Sequence, residues 1–231
     1  QKTAYEILSR LVGSEMCIRD RSNRTHILGI QCDVTVKHSI AKAVAKTVQC
    51  FGGIDILVLN AGTFPAGQTI EEIEDETWNK SLKTNLTAPQ QLLQSCVPFL
   101  KEGIDPSVVF IASRNVPAPG PGASAYSVPK AGQTQLARIA ALELGSYGIT
   151  VNNVLPGFTN TNRLKSIISN KADKQDKSEE EIAEIMKASV PANRFGEANE
   201  VANAIAFLCT PAASYINGIN VPVDGGRTQS L

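Results

Sequence analysis

The chain has 231 residues, of which 42% are hydrophobic and 19% are charged, and this composition indicates one globular domain with a sizeable core. Basic and acidic residues are balanced at 22 each, which argues against nucleic acid or an anionic membrane as the main partner. No apolar run is long enough to span a bilayer. The five cysteines are scattered and there are only two histidines, so we expect buried, reduced thiols, no metal site and a cytoplasmic location.

Short apolar runs alternate along the chain with longer amphipathic stretches, which predict strands and helices respectively. The predicted elements are a strand at His26–Gln31, a helix at Val36–Phe51, a strand at Ile54–Leu59, a helix at Trp78–Leu100, a strand at Ser107–Ala112, a helix at Ala123–Tyr147, a strand at Ile149–Leu155, a helix at Glu197–Cys209 and a strand at Gly218–Val223. This alternation predicts a single α/β domain with a doubly wound parallel sheet.

Residues 160–192 interrupt the alternation with a polar insertion. Ser178 and Glu181 have the spacing of a capping box, and Ile182, Ile185 and Met186 follow as a narrow apolar stripe, so the insertion predicts one short helix. We interpret the insertion as a lid, because pockets in such folds lie at the carboxyl ends of the strands. A solvated surface helix is the alternative interpretation.

Three side chains form a candidate site for proton transfer. Tyr126 and Lys130 are four residues apart in a predicted helix, so the hydroxyl and the ammonium lie on one face. A neighbouring cation lowers the pKa of a phenol, which suits the phenol to general acid/base catalysis. Ser113 ends a predicted strand thirteen residues earlier, and a Pro- and Gly-rich loop can bring its hydroxyl to the same substrate oxygen. A turn or cap is the bland alternative for Ser113.

In this order, Ser113 followed by Tyr126 and Lys130 resembles the catalytic signature of the classical short-chain dehydrogenase/reductase family, especially its 3-oxoacyl-carrier-protein-reductase-like branch. The resemblance covers roughly residues 25–228 and implies a Rossmann-type doubly wound parallel sheet. Further matches occur in the family's order at Cys32-Asp33-Val34, Asn60-Ala61-Gly62, Asn85, Asn152–Gly157 with Thr161, Arg194–Glu197 and Val223–Gly226.

The resemblance implies a role for each catalytic candidate. Tyr126 donates or accepts the proton, and Lys130 lowers the pKa of Tyr126 and binds the nicotinamide ribose. Ser113 holds the substrate oxygen. Asn85 organises a proton-relay water through a local distortion of its helix.

The resemblance also implies a set of residues that bind NAD or NADP. Asp33 contacts the adenine, and the segment of Asn60, Ala61 and Gly62 lines the adenosine side. The nicotinamide face is set by Pro156, Gly157 and Thr161. A simple turn at residues 60–62 and a strand stop at residues 156–157 are the structural alternatives.

The family's glycine-rich turn, which holds the cofactor pyrophosphate on backbone N–H groups, has no counterpart before Asp33. We therefore expect that the first β-α-β-α portion of the fold is missing, that residues 1–21 are an artefactual leader, and that residues 22–231 form the domain. A genuine but divergent N-terminal segment is the alternative. The missing turn predicts weak binding of NAD(P) by this chain.

The predicted activity is an NAD(P)-dependent interconversion of a secondary alcohol and a ketone on a small-molecule substrate, with the choice between NAD and NADP left open. The long helices at Trp78–Leu100 and Ala123–Tyr147 resemble those that build family dimers, so we expect a homodimer or homotetramer. The alternative is a catalytically inactive truncated member that serves only as an oligomerising or binding subunit.

Overall fold

The computed structural model describes residues 27–65 and 67–229. Its elements are α1 Lys37–Phe51, β1 Ile56–Leu59, α2 Asp75–Leu82, a π-helical turn Lys83–Thr87, α3 Ala88–Leu100, β2 Ser107–Ile111, α4 Ser124–Leu144, β3 Thr150–Pro156, α5 Asn162–Gln175, α6 Glu179–Ala188, α7 Ala198–Leu208 and β4 Asn220–Val223. Short 3₁₀ turns follow α4 at Gly145–Tyr147 and α7 at Pro211–Ala213.

The four strands of the described ranges form one parallel sheet in the order β1-β2-β3-β4. Successive residues of β2 face opposite sides of this sheet. Val108 and Phe110 pack on one side with α1, α3 and α4, whereas Val109 packs on the other side with Leu208 of α7. Helices therefore cover both faces, and the predicted doubly wound α/β fold is confirmed.

The first predicted strand is not found. Residues 27–31 have no strand conformation, and His26 lies outside the described residues. A strand needs a hydrogen-bonded neighbour, and within the described ranges the sheet begins at β1. The buried residues that follow, Cys32 and Val34, still pack into the core beside α1, so the apolar pattern reported burial rather than strand pairing.

Two of the helical predictions need correction. The single helix predicted over Trp78–Leu100 begins earlier, at Asp75, and a π-helical turn at Lys83–Thr87 divides it into α2 and α3. The insertion at 160–192 contains two helices, α5 and α6, rather than one, because apolar residues of both helices bury against each other. The capping box of Ser178 and Glu181 is present at the start of α6.

The other predictions concern membrane spans, the cysteines, the leader and the lid. No helix in the described ranges is long and apolar enough to cross a membrane. Cys32 and Cys96 are buried as expected, but Cys50 is exposed on the outer side of α1, and Cys17 lies outside the described residues. The predicted leader at 1–21 also lies outside them. The lid interpretation stays a prediction.

Candidate active site

Ser113 and Tyr126 meet at the carboxyl end of β2. Ser113 follows this strand by two residues, and Tyr126 is the third residue of α4. Both side chains are buried, and the Ser113 hydroxyl lies near enough to the Tyr126 phenol to lower the pKa of that phenol. The Ser113 oxygen also accepts a hydrogen bond from the backbone N–H of Asn115 at 3.1 Å, which fixes its orientation. The structure places both residues at this edge of the sheet, and the convergence of the two hydroxyls on one substrate oxygen stays a prediction.

The pKa of Tyr126 reflects two opposing influences. Burial raises this pKa above its usual value, because a phenolate loses its hydration in the interior. The neighbouring Ser113 hydroxyl and the positive charge of Arg163 both lower it, but burial is the larger effect. The sequence predicted a net lowering by Lys130, and the structure differs on this point.

Lys130 explains that difference by its own burial. Its ammonium lies in the core, where it donates hydrogen bonds to the Ile111 carbonyl at 2.6 Å and to Gln133 Oε1 at 2.9 Å. Burial, with a smaller contribution from Arg163, lowers the pKa of Lys130 to about 7. A lysine that is itself reluctant to hold its charge gives little stabilisation to a neighbouring phenolate. Within the described ranges two of its three possible hydrogen bonds are used, so one donor is left for a ligand.

A proline links the catalytic helix to the helix that carries Asn85. Pro129 has no N–H, so the Ala125 carbonyl lacks its usual donor four residues along α4. The Ser81 hydroxyl of α2 takes that place and donates to the Ala125 carbonyl at 2.5 Å. Ser81 in turn accepts a hydrogen bond from Asn85 Nδ2 at 2.8 Å. The start of α4 and the π-helical turn are therefore joined next to Tyr126.

Asn85 holds the segment that follows β1. Its side chain accepts a hydrogen bond from the Thr63 N–H at 2.9 Å and donates to the Thr63 carbonyl at 3.0 Å. Gly62 lies so close that an added Cβ would stand 2.9 Å from Asn85 Oδ1 and 3.7 Å from Lys130 Nζ. Only glycine fits there, and Asn60 and Ala61 precede it at the same edge of the sheet. The structure thus places residues 60–62, Asn85 and Lys130 together.

The residues predicted on the nicotinamide side lie at the end of β3. A Cβ on Gly157 would come within 2.6 Å of Asp224 Cβ, so this glycine permits the close approach of the segment after β4. Pro156 is the last residue of β3, and Thr161 precedes the first residue of α5. Thr161 is exposed, and its hydroxyl donates a weak hydrogen bond to the Thr159 carbonyl at 3.3 Å.

Asp33 lies on the surface just before α1. It is exposed, and its carboxylate accepts hydrogen bonds from the Thr35 N–H at 2.8 Å and the Thr35 hydroxyl at 2.7 Å. These bonds lower the pKa of Asp33, with a small further lowering by Lys83. The carboxylate forms a local turn, and within the described ranges it makes no hydrogen bond to the catalytic groups.

The sequence did not single out Arg163 or Phe64. Arg163 lies in the first turn of α5, and its guanidinium donates a hydrogen bond to the Gly62 carbonyl at 3.0 Å. The Phe64 ring packs edge-on against the Tyr126 ring, with centroids 4.7 Å apart. A cavity of about 420 Å³ opens on the other side of Phe64 and includes none of the predicted site residues. In the sequence, the only sign of a role for Arg163 was its position two residues after Thr161, which had been predicted as a site residue.

The chain resembles known proteins over nearly its whole length. A family model described as enoyl-(acyl carrier protein) reductase matches residues 16–228. Dehydrogenase/reductase SDR family member 4 from Homo sapiens is 34% identical over 205 residues, which cover 89% of this chain and 70% of that protein. The chain belongs to the short-chain dehydrogenase/reductase family. Members of this family are NAD(P)-dependent oxidoreductases, so the predicted enzyme class and cofactor are confirmed.

Two further relatives extend the comparison within the short-chain dehydrogenase/reductase family. A 3-oxoacyl-(acyl-carrier-protein) reductase from Staphylococcus aureus is 32% identical over 197 residues, which cover 85% of this chain and 75% of that one. The crystal structure of an actinorhodin polyketide ketoreductase with NADPH superposes with a TM-score of 0.89 at 31% identity. That superposition covers 97% of this chain and 87% of the ketoreductase.

The link through Ser81 leads to a prediction about stability. Ser81→Ala leaves the buried Ala125 carbonyl without a donor, and we expect the free energy of unfolding to fall by about 1–3 kcal/mol. Urea unfolding of the purified protein measures this change. Ser95→Ala is the matched control, because the Ser95 hydroxyl bonds only within α3, to the Gln91 carbonyl at 2.8 Å. Equal effects of the two substitutions would contradict the proposed link.

Proposed function

We propose that this chain interconverts a secondary alcohol and a ketone with NAD(P), and that Tyr126 is its general acid and base. The single observation that carries the proposal is the burial of Ser113 and Tyr126 side by side at the carboxyl end of β2, where the serine hydroxyl lowers the pKa of the phenol. A substrate oxygen that contacts both hydroxyls is held at one point and lies within reach of a proton.

The buried phenol suits proton donation. Because burial raises the pKa of Tyr126, the phenol keeps its proton at neutral pH and can give it to a carbonyl oxygen as that oxygen gains negative charge. In the reverse direction the phenolate accepts the proton of the alcohol. Ser113 and Arg163 both stabilise this phenolate, so they favour the alcohol-oxidising form.

The residues around Lys130 fit a bound nicotinamide cofactor, which when bound supplies or accepts the hydride. Gly62 leaves a cradle that a Cβ would close, and the buried ammonium of Lys130 beside it keeps one free donor for a ribose hydroxyl. Asn60 and Ala61 would line the adenosine side next to this cradle. We assign the adenine contact to Asp33.

The second half of the cofactor site would be formed after β3. Pro156 and Gly157 would pack against the nicotinamide, and Thr161 would hold its carboxamide. The Thr161 side chain is free to do so, because in the described part of the chain its hydroxyl makes only the weak hydrogen bond to the Thr159 carbonyl.

Asn85 is assigned the support of a proton-relay water. The amide hydrogens of its side chain are already bonded to Ser81 and the Thr63 carbonyl. A water would therefore contact the second lone pair of Oδ1 or the main chain of the π-helical turn, where the regular helical hydrogen bonding is interrupted.

The substrate class that we propose is a 3-oxoacyl-type ketone, in line with the Staphylococcus aureus relative. Helices α5 and α6 would act as a lid, since their shared apolar cluster also packs against Phe158 beside the site. We further propose a homodimer or homotetramer in the cytoplasm, with a single domain from residue 22 to 231.

Replacement of the phenol tests the proposed acid and base. We expect Tyr126→Phe to lower the turnover of a short 3-oxoacyl thioester by roughly 100- to 10,000-fold, because the substrate oxygen loses its proton donor. Oxidation of NADPH and NADH, followed by absorbance, measures the rate. Tyr147→Phe is the matched control, since that exposed ring lies under Lys101 at 3.7 Å on the outer side of the fold. Turnover by Tyr126→Phe within a few-fold of wild type would sink the proposal.

The charge of Arg163 predicts a shift in pH dependence. Alcohol oxidation needs the phenolate, so its rate rises with pH through the pKa of Tyr126. Arg163 lowers the pKa of both Tyr126 and Lys130, and its removal therefore raises both. We expect the midpoint of the rate profile to move up by about half a unit to one unit in Arg163→Met, with most of the shift absent in Arg163→Lys. A midpoint that stays in place or moves down would contradict this electrostatic role.

A further inference from the structure

Two arginines near the end of β3 have no carboxylate partner within the described ranges. Arg114 follows Ser113 directly, and its backbone N–H donates to the Pro156 carbonyl at 3.2 Å, which anchors it to the end of β3. The Arg227 guanidinium lies over the Phe158 ring, 3.6 Å from the ring centroid. Both side chains are half-buried. Pro156 and Phe158 are two residues apart, so both arginines contact the same segment at the end of β3.

The carboxylate of Asp224, three residues before Arg227, already accepts hydrogen bonds within its own turn. The Asp224 side chain accepts hydrogen bonds from the Gly226 N–H at 3.1 Å, the Thr228 N–H at 2.8 Å and the Thr228 hydroxyl at 2.6 Å. Among residues 27–65 and 67–229, no acidic oxygen comes within salt-bridge distance of Arg114 or Arg227. Asp224 acts on Arg227 only at longer range.

The two guanidinium groups also repel each other. Partial burial, followed by the nearby charge of Arg114, lowers the pKa of Arg227 to about 10. Two like charges that are partly removed from water are unfavourable unless an anion joins them. Arg194 shows the contrast, because it forms two hydrogen bonds to the Glu200 carboxylate, at 2.7 and 2.6 Å, on an exposed surface. Arg114 and Arg227 have no such carboxylate within the described ranges.

We propose that Arg114 and Arg227 together bind an anionic group of the substrate, a carboxylate or a phosphate, close to the reacting carbonyl. The planar guanidinium of each arginine offers paired N–H donors that match the oxygens of either group. Stacking on Phe158 holds the plane of Arg227 in one orientation. The inference rests on the proposed function, since the position of Ser113 defines where the reacting carbonyl lies.

A binding measurement tests the site without turnover. We expect inorganic phosphate and malonate, at ionic strength matched with chloride, to raise the melting temperature of the wild-type protein. Arg114→Met/Arg227→Met should lose this increase, whereas the control Arg138→Met, which removes an exposed arginine elsewhere on α4, should keep it. If the double variant does not fold, Arg227→Lys replaces it and should weaken binding, because an ammonium lacks the paired donors.

A kinetic measurement identifies the anion. The ratio of kcat/KM for 3-oxobutanoate to that for its methyl ester reports on a carboxylate, and the ratio for dihydroxyacetone phosphate to dihydroxyacetone reports on a phosphate. We expect one ratio to fall by about tenfold or more in the double variant, as for loss of a charged hydrogen bond. Unchanged ratios in the double variant, or equal stabilisation of wild type and double variant by the probe anions, would overturn the inference. Anion binding without turnover of any ketone would instead refute the proposed function and leave the anion site supported.

Discussion

A buried phenol at position 126, close to a buried serine hydroxyl, sets the conditions for everything around it. Burial alone would make this phenol a poor acid, because its ionised form cannot be hydrated. The site offsets that effect with the Ser113 hydroxyl and the charge of Arg163. Lys130 contributes less than its position in the helix suggests, since burial lowers its own pKa to about 7. These opposing effects on the pKa leave a phenol that stays protonated until it donates its proton to a substrate oxygen.

The backbone is arranged to hold this phenol in place. Parallel strands end at one edge of the sheet, so Ser113 after β2 and Pro156 after β3 lie near each other. Pro129 removes one hydrogen bond from the catalytic helix, and Ser81 restores it from a neighbouring helix. Because Ser81 also accepts a hydrogen bond from Asn85, it connects the start of the catalytic helix to the segment that follows β1. The N–H that Pro129 lacks is thus replaced by a hydrogen bond between two helices.

The sequence predicted the groups whose chemistry depends on fixed spacing. Ser113, Tyr126 and Lys130 could be read from one strand end and one helical turn, and the alternation of apolar runs predicted the parallel sheet. It could not predict Arg163, because an exposed arginine gives no signal until α5 turns back over Gly62. The strand predicted at 26–31 failed for a related reason, since strand pairing depends on a neighbour and not on the apolar pattern alone. The π-helical turn at Asn85 leaves no mark in the periodicity of its residues, and only the family resemblance led us to expect a local distortion of the helix there.

The titration of Tyr126 itself tests the account most directly. Tyrosine labelled with ¹³C at Cζ gives one NMR signal for each of the four tyrosines, and the signal missing in Tyr126→Phe identifies the buried phenol. The account predicts that this signal titrates at higher pH than those of exposed tyrosines, and that Ser113→Ala moves it higher still. A Tyr126 phenol that titrates with the exposed tyrosines, or that does not respond to loss of the Ser113 hydroxyl, would contradict the central pairing.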